Sequence, residues 1–362
     1  MNTPLIQNVG LREGAGTPAI LDILNECLNL DIIMHHAYSE FADAEPNTDI
    51  AKFWREVVAD EASHIEFWTR AVAFCKTSCI NVCIDNPEAT RTRLLAMGKS
   101  VQQLLGDLAF CGSSEQRLLS AYTIESYLFD PAFIEIFETF RFLNKDIDRL
   151  YLEHVKKFTA ALERFHYDMI PSQIRIMGEL MLNLYHLNYK LFREAITDPL
   201  TGLLNRRGFF NAAIPLLSLA QRNDMRVGVV IMDLDNFKLI NERFGHPAGD
   251  LALSAVGQIL LGTSRKADLS CRYGGDEFLI LAQAKTEESL QHFCERLRRN
   301  IENGSKKLSG HRFTVSMGGT TGKATPLEHE FLLQMIARAD ADLGKAKAAG
   351  KNNCVLSPEA NS

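Results

Sequence analysis

The sequence predicts a multidomain fold: an N-terminal all-α helical bundle, a long connecting helix, and a C-terminal α/β (α+β) domain with a mixed sheet. Three observations lead there. At 362 residues the chain exceeds what one ordinary core supports. Residues 17–168 place apolar side chains at helical spacing with few breakers. After Asp198, apolar strand-like runs alternate with helical ones, the signature of a sheet covered by helices. The expected boundaries are 17–168 for the bundle, 169–197 for the connecting helix and 198–358 for the α/β domain.

Composition narrows the function classes. A formal net charge of -6 argues against a nucleic-acid partner, because neutralising phosphates needs a basic face. No uninterrupted apolar run approaches the roughly 18 residues of a membrane span, and "MNTPLIQNVGLREG" lacks the pattern of a signal peptide. Eight scattered cysteines suit reduced thiols, so a cytoplasmic protein without a membrane partner is expected. Cys75, Cys79 and Cys83 recur every fourth residue and would share a helical face; buried structural cysteines are the preferred reading, with metal binding or oxidant sensing the alternative.

The bundle opens at Thr17-Pro18, a helix start signal. In the next helix, Trp54, Val57, Val58, Ile65, Trp68 and Val72 form one apolar stripe. Segments 88–110, 115–141 and 144–168 are helical in character, with breaks at Asn86-Pro87 and Cys111-Gly112. Glu61 and His64 lie on the apolar stripe, where an acid and an imidazole need partners. A second E-x-x-H occurs at Glu163–His166, with Glu26 or Asp31 upstream of the first and Glu125 or Glu138 upstream of the second. This arrangement resembles ferritin-like di-iron bundles and makes Glu26, Glu61, His64, Glu125, Glu163 and His166 candidate metal ligands. A hemerythrin-like set (His36, Glu40, His64, His154, His166), a zinc site and a metal-free dimerisation bundle are the alternatives.

Residues 171–196 read as one further helix with Ile174, Met177, Met181, Leu184, Leu191 and Ala195 at three- and four-residue steps. Asn188 occupies the slot between the last two leucines, where a polar residue fixes register in a paired coil. A parallel coiled coil, and hence a homodimer, is the expectation; a lone amphipathic helix is the alternative.

In the last domain, "RVGVVIMDLD", "DLSCRYGGDEFLILAQ" and "RFTVSMGGTT" read as strands, and 205–222, 246–264, 286–303 and 328–349 as helices. Asp233 emerges at the end of a buried strand, where open α/β sheets place ligand-binding groups. Gly274-Gly275 reads as a hairpin turn that exposes Asp276 and Glu277. Carboxylates from strand end and hairpin tip can share Mg²⁺, which takes few protein carboxylates plus substrate phosphates. Lys238 can neutralise charge on a transferring phosphoryl group, and Asn241 and Asp250 can read a purine edge.

Five segments carry a resemblance: "TDPLTGLLNRRGF", "MDLDNFKLINERFGHPAGD", "RKADLSCRYGGDEF", "TVSMGG" and "ARADADLGKAKAAGKN", in order over about 160 residues. They resemble the GGDEF family of diguanylate cyclases, a nucleotidyl-cyclase-like fold. The resemblance implies condensation of two GTP to cyclic di-GMP with release of two pyrophosphates, by a homodimer whose subunits each supply half of the site. It implies Mg²⁺ (or Mn²⁺) held by Asp233, the Leu234 carbonyl and Asp276. Asp276 would be general base with Glu277 beside it, and Lys238 the transition-state stabiliser. Asn241, His246 and Asp250 would contact substrate, Lys347 and Lys351 the triphosphate region. Arg265 and Asp268 match an RxxD inhibitory site for the product. Two departures stand out: Gly344 replaces a frequent aromatic, which should loosen the last helix, and Lys351 replaces a frequent arginine. The competing class is a catalytically degenerate module that binds GTP or cyclic di-GMP as a receptor.

Overall fold

The computed structural model describes residues 17–77, 86–108, 113–140, 143–144, 147–165, 171–265, 268–284, 286–309, 312–325 and 328–357. The chain divides into two compact units that meet in sequence at Phe192–Arg193.

The first unit is helical. Helices α1 (Thr17–Ala44) and α2 (Thr48–Thr77) share the most extensive packing, joined by α3 (Pro87–Leu108), α4 (Ser114–Glu125), α5 (Pro131–Phe140) and α6 (Ile147–Phe165). The predicted stripe on α2 is largely inside: Trp54, Val57, Trp68 and Val72 are buried, while Val58 and Ile65 are partly so. Trp54 stacks on Tyr38 at 5.4 Å and Phe158 meets Phe53 edge-on at 5.2 Å, an aromatic core drawn from α1, α2 and α6. The segment expected as one helix over 115–141 is broken. α4 starts on a Ser113–Gln116 capping box, passes into a 3-10 turn (Ser126–Phe129), and Asp130 turns extended (ψ 131°) before Pro131. Proline forces that conformation on its predecessor, so the helix restarts as α5. Cys75 is buried with its thiol pushed up to about 12 by burial; Cys79 and Cys83 lie outside the described residues.

Helix α7 (Pro171–Ile196) is continuous, as the sequence predicts. Along it Ile176, Leu180, Leu184, Leu187 and Leu191 are 50%, 61%, 48%, 52% and 53% exposed. This face overlaps the expected seam at Leu184 and Leu191 but takes Leu187, not the half-buried Asn188, as its intervening step. The side chains of Ile174, Met177 and Met181 lie outside the described residues.

The second unit is built on a five-stranded mixed sheet of order β2-β3-β1-β4-β5. Its strands are β1 (Arg226–Leu234), β2 (Leu269–Gly274), β3 (Glu277–Gln283), β4 (Val315–Lys323) and β5 (Cys354–Ser357). Only the β4–β5 pair is parallel. Helices α8 (Arg206–Arg222), α10 (His246–Thr263), α11 (Glu287–Ser309) and α12 (Glu328–Ala348) fall where the sequence predicts them. The short α9 (Phe237–Phe244) and β5 lack a long apolar period and escape sequence reading. Val230, Met232, Phe278, Ile280, Val256, Leu260, Leu297 and Met317 form the core between sheet and helices. Gly318 lets α12 lie against β4: a Cβ there would come within 2.1 Å of the Ala339 carbonyl oxygen. That close seat sets where the last turn of α12 delivers Lys347.

Candidate functional site

β1 carries Asp233 to its end, and antiparallel pairing sets it opposite Glu277. Gly274 pairs with Glu277, leaving Gly275 and Asp276 as the hairpin tip. Gly275 takes φ +46°, a primed-turn conformation that favours glycine. The Leu234 N–H donates to the Asp276 carbonyl at 3.3 Å, pinning the tip beside the strand end. Asp233, Leu234, Asp276 and Glu277 are therefore neighbours. These strands are antiparallel, so the site comes from hairpin apposition and not, as the sequence suggested, from the strand end of an open α/β sheet.

Lys347 Nζ stands 2.9 Å from Asp233 Oδ2. Burial pushes the Asp233 carboxyl up to about 6; Lys347 opposes the shift and the Asp276 charge adds to it. Glu277 is also raised, first by burial and then by Asp233 and Asp276. An all-oxygen donor set short of positive charge fits a hard divalent cation such as Mg²⁺.

Asp235, which sequence reasoning passed over, is buried and accepts hydrogen bonds from Thr314 Oγ1 (2.7 Å), Ser316 Oγ (2.6 Å) and the Asn352 N–H (2.9 Å). It ties β1, β4 and the final loop together; its signal was the second acid of "DLD". Lys351 at φ +65° and Asn236 at φ +58° meet through a 2.6 Å hydrogen bond, which holds that loop against the start of α9.

The other expected residues spread around this edge. Lys238 on α9 is 90% exposed and 3.7 Å from Glu242. Asn241 backs onto Gly249, where a Cβ would approach its Oδ1 to 2.0 Å, and that oxygen has no hydrogen-bond partner among the described residues. His246 is exposed at the start of α10, and Asp250 is exposed one turn further along it. Arg265 is exposed, whereas the Asp268 carboxylate accepts from the Arg265 N–H (2.8 Å) and the Gln283 N–H (3.3 Å), shaping the approach to β2. Gly344 is exposed with open space at its Cβ position, so the expected loosening of the last helix does not arise.

In the first unit a second cluster forms. Asp31 (α1), Glu61 and His64 (α2), Glu125 (α4) and His154 (α6) are all at most 1% exposed. They compose two groups, Asp31–Glu61–His64 and Glu61–Glu125–His154, with donor atoms within 4.8 Å of one another in each. Of the expected ligands, Glu61, His64 and Glu125 meet here. Glu26 is only partly buried and is not in either group, so the upstream acid is Asp31, the alternative to it. The Glu163 side chain and His166 lie outside the described residues. His154, known from sequence only as a candidate of the hemerythrin-like set, takes the last place, one turn after Tyr151.

Burial pushes Asp31 well above the carboxylate range, with the Glu61 charge adding. Burial also opposes ionisation of Glu61, but the His64 and His154 imidazoles overcome it and hold that carboxyl at about 2. His154 rises well above its ordinary value: burial alone would lower it, and Glu125 and Asp60 outweigh burial.

Residues 195–353 match the family described as "Diguanylate cyclase, GGDEF domain", so the C-terminal half carries a GGDEF domain. Diguanylate cyclase DgcS of Shewanella oneidensis is 35% identical over 166 residues, 46% of this chain and 54% of that protein. Diguanylate cyclase VdcA of Vibrio cholerae is 34% identical over 166 residues, 45% of this chain and 47% of that protein. The chain spans about half the length of these curated relatives. The crystal structure of the coiled coil and GGDEF domain of DgcB from Caulobacter crescentus in complex with c-di-GMP aligns with TM-score 0.46 and 23% identity, over 51% of this chain and 98% of that one. The family match begins at residue 195 and lends no support to the ferritin-like resemblance of the bundle.

Proposed function

We propose that this protein is a diguanylate cyclase: it condenses two GTP to cyclic di-GMP and releases two pyrophosphates. The observation that carries the reading is the apposition of Asp233 to the Asp276–Glu277 hairpin tip, within residues matched to the GGDEF domain. In each half-reaction the 3′-oxygen of one GTP bonds to the α-phosphorus of the other. The bond from that phosphorus to the β-phosphate bridge breaks, and the hydroxyl proton passes to Asp276, with Glu277 beside it. Mg²⁺ or Mn²⁺ held by Asp233, the Leu234 carbonyl and Asp276 would supply charge neutralisation at the phosphates. Lys347 and Lys351 steady the triphosphate region and Lys238 meets charge as it develops. Asn241 offers its unpartnered oxygen, and His246 and Asp250 their exposed side chains, to the substrate.

The working unit in this proposal is a homodimer, with 17–168 sensory, 169–197 the signalling helix and 198–358 catalytic. Leu180, Leu184, Leu187 and Leu191 recur at alternating four- and three-residue steps with about half of each exposed, which suits a second copy of the same helix. Product bound near Arg265 and Asp268 would feed back on the rate. Among the described residues no helix is long and apolar enough to cross a membrane; we place the protein in the cytoplasm, where GTP is supplied.

The test is incubation of the purified full chain with GTP and Mg²⁺, followed by chromatography. Cyclic di-GMP is expected from wild type. Leu187→Glu is expected to shift the protein to monomer and lower turnover by about tenfold or more, in line with loss of a buried coil position. Absence of cyclic dinucleotide from a dimeric wild type leaves the receptor reading.

A further inference from the structure

We propose that the helical bundle holds two divalent first-row transition-metal ions bridged by Glu61, one bound by Asp31, Glu61 and His64 and the other by Glu61, Glu125 and His154. This site is built from residues of the first unit alone and does not rest on the cyclase reading.

Among the described residues, some buried polar atoms of this cluster have hydrogen-bond partners and others have none. Asp31 Oδ2 accepts from Tyr151 OH (2.7 Å) and Trp68 Nε1 (2.8 Å), yet Asp31 Oδ1 is buried without a partner. Glu125 Oε1 accepts from Tyr38 OH (2.7 Å), yet its Oε2 is buried without a partner. His154 Nδ1 lies 3.1 Å from Asp60 Oδ2, itself held by Lys157, while its Nε2 is buried and unpartnered. The His64 ring is fixed by stacking on Tyr151 at 3.8 Å, with both nitrogens unpartnered. Each outer residue is thus anchored from behind and leaves at least one donor atom free. That is how outer-shell contacts orient metal ligands. Glu61 differs: both of its oxygens are buried and without hydrogen-bond partners. It alone belongs to both groups, as a bridging carboxylate must.

Distances sharpen the point. His154 Nε2 lies 3.0 Å from Glu61 Oε1 and 3.3 Å from Glu125 Oε1, and His64 Nδ1 lies 3.4 Å from Glu61 Oε2. Close as they are, neither Glu61 contact has hydrogen-bond geometry. With its Nδ1 proton donated to Asp60, His154 aims Nε2, the nitrogen left to ligate a metal, at carboxylate oxygens. Donor atoms that converge in a sealed pocket without hydrogen-bond geometry are poorly served by a proton and well served by a metal ion at their focus.

Charge and donor type set the occupant. Ligation to metal takes imidazoles neutral and carboxylates ionised, so Asp31, Glu61 and Glu125 then bring three negative charges into a sealed pocket. One divalent ion leaves that pocket negative; two, with one bound hydroxide, bring it to neutrality. Mixed imidazole–carboxylate ligation favours Fe²⁺, Mn²⁺ or Zn²⁺ over Mg²⁺.

The test uses the full chain, stripped with chelator and reloaded anaerobically with Fe²⁺, Mn²⁺ or Zn²⁺ alone, then desalted and assayed by plasma mass spectrometry. About two ions per chain are expected with at least one of these metals, and the same number in an Asp233→Ala/Asp276→Ala variant that removes the cyclase carboxylates. One ion or fewer with all three metals overturns the proposal. Glu61→Gln, checked for retained helix by circular dichroism, is expected to lose both ions, and retention of two refutes the bridge. Because that variant can fail to fold, X-ray absorption on loaded wild type gives an independent reading. A metal–metal distance of about 3.5–4 Å is expected, and its absence overturns the proposal.

Discussion

The two acidic clusters of this chain solve the same electrostatic problem in different ways. At the hairpin site, carboxylates gather at a sheet edge beside a lysine of the protein itself, Lys347. Asp233 keeps 11% of its side chain exposed, and the turn glycines leave open space around the tip. In the bundle, the carboxylates are sealed at 0% exposure, and the charges opposing Glu61 are imidazoles. An open cluster with its own ammonium suits a ligand that arrives and leaves on each turnover. A sealed cluster with unpartnered atoms suits a resident ion. Burial and orphaned atoms, more than residue type, distinguish the two.

The largest effect that could break this contrast comes from Asp276→Ala. It should reduce cyclic di-GMP formation by about 10³-fold or more, since in the proposed mechanism this one residue is to serve as metal ligand and base. Metal content of the bundle should stay at the wild-type level. A variant that lost both would show that the clusters are not separate sites.

The next effect is in pH. Asp233 is held at about 6, above the ordinary carboxylate value, so protons compete with the ion for it. At limiting Mg²⁺, turnover should fall about tenfold per pH unit below that value, and saturating Mg²⁺ should move the acid limb downward. The sign for stability is opposite. A raised carboxyl favours the folded, metal-free domain when protonated, so that contribution is present below pH about 4 and lost as pH rises through about 6. Mg²⁺ should restore it. Thermal melts across this window, with and without Mg²⁺, check both statements; an acid limb indifferent to Mg²⁺ would remove Asp233 from the metal site.

A smaller change sharpens the sealed side. Trp68→Phe deletes the N–H that donates to Asp31 Oδ2 and to Tyr151 OH at 2.9 Å. Loss of this buried hydrogen bond, which leaves its acceptor less satisfied, should cost about 1–2 kcal/mol, read as a lower denaturation midpoint of the bundle. An unchanged midpoint would mean that Asp31 does not need its anchor.

The contrast also explains what the sequence revealed. The hairpin site is local: Asp233 lies at the end of one apolar run and Asp276 at one glycine turn, so short motifs announce it. The bundle cluster draws on residues 31, 61, 64, 125 and 154, on four helices whose mutual rotation no single motif encodes. Glu61-x-x-His64 was legible because both lie on an apolar stripe one turn apart. His154 was obscured because the acid of a second E-x-x-H gives way to Tyr151, while Glu163–His166 supplied the pattern elsewhere. Bundle helices follow from periodicity, whereas α9 and β5 do not, because both are short and set by tertiary contact. The exposed face of α7 kept the expected four-three spacing but shifted onto Leu187, a difference that spacing alone cannot resolve.

The smallest expected effect concerns Gly344, the departure that looked like a packing defect. Its Cβ position meets nothing within 4 Å, and it stands inside α12, four residues before that helix ends. A glycine there lends backbone freedom to the unfolded chain without relieving any clash in the folded one. Gly344→Ala should therefore stabilise the cyclase domain by about 0.5–1 kcal/mol, raising the melting transition that responds to added GTP by a few degrees, with turnover unchanged. A gain in stability accompanied by lost turnover would instead mean that the open space beside Gly344 is occupied during catalysis. A loss of stability would mean that the helix is bent there in solution. Either result would place a constraint on the open site that its resting geometry does not reveal.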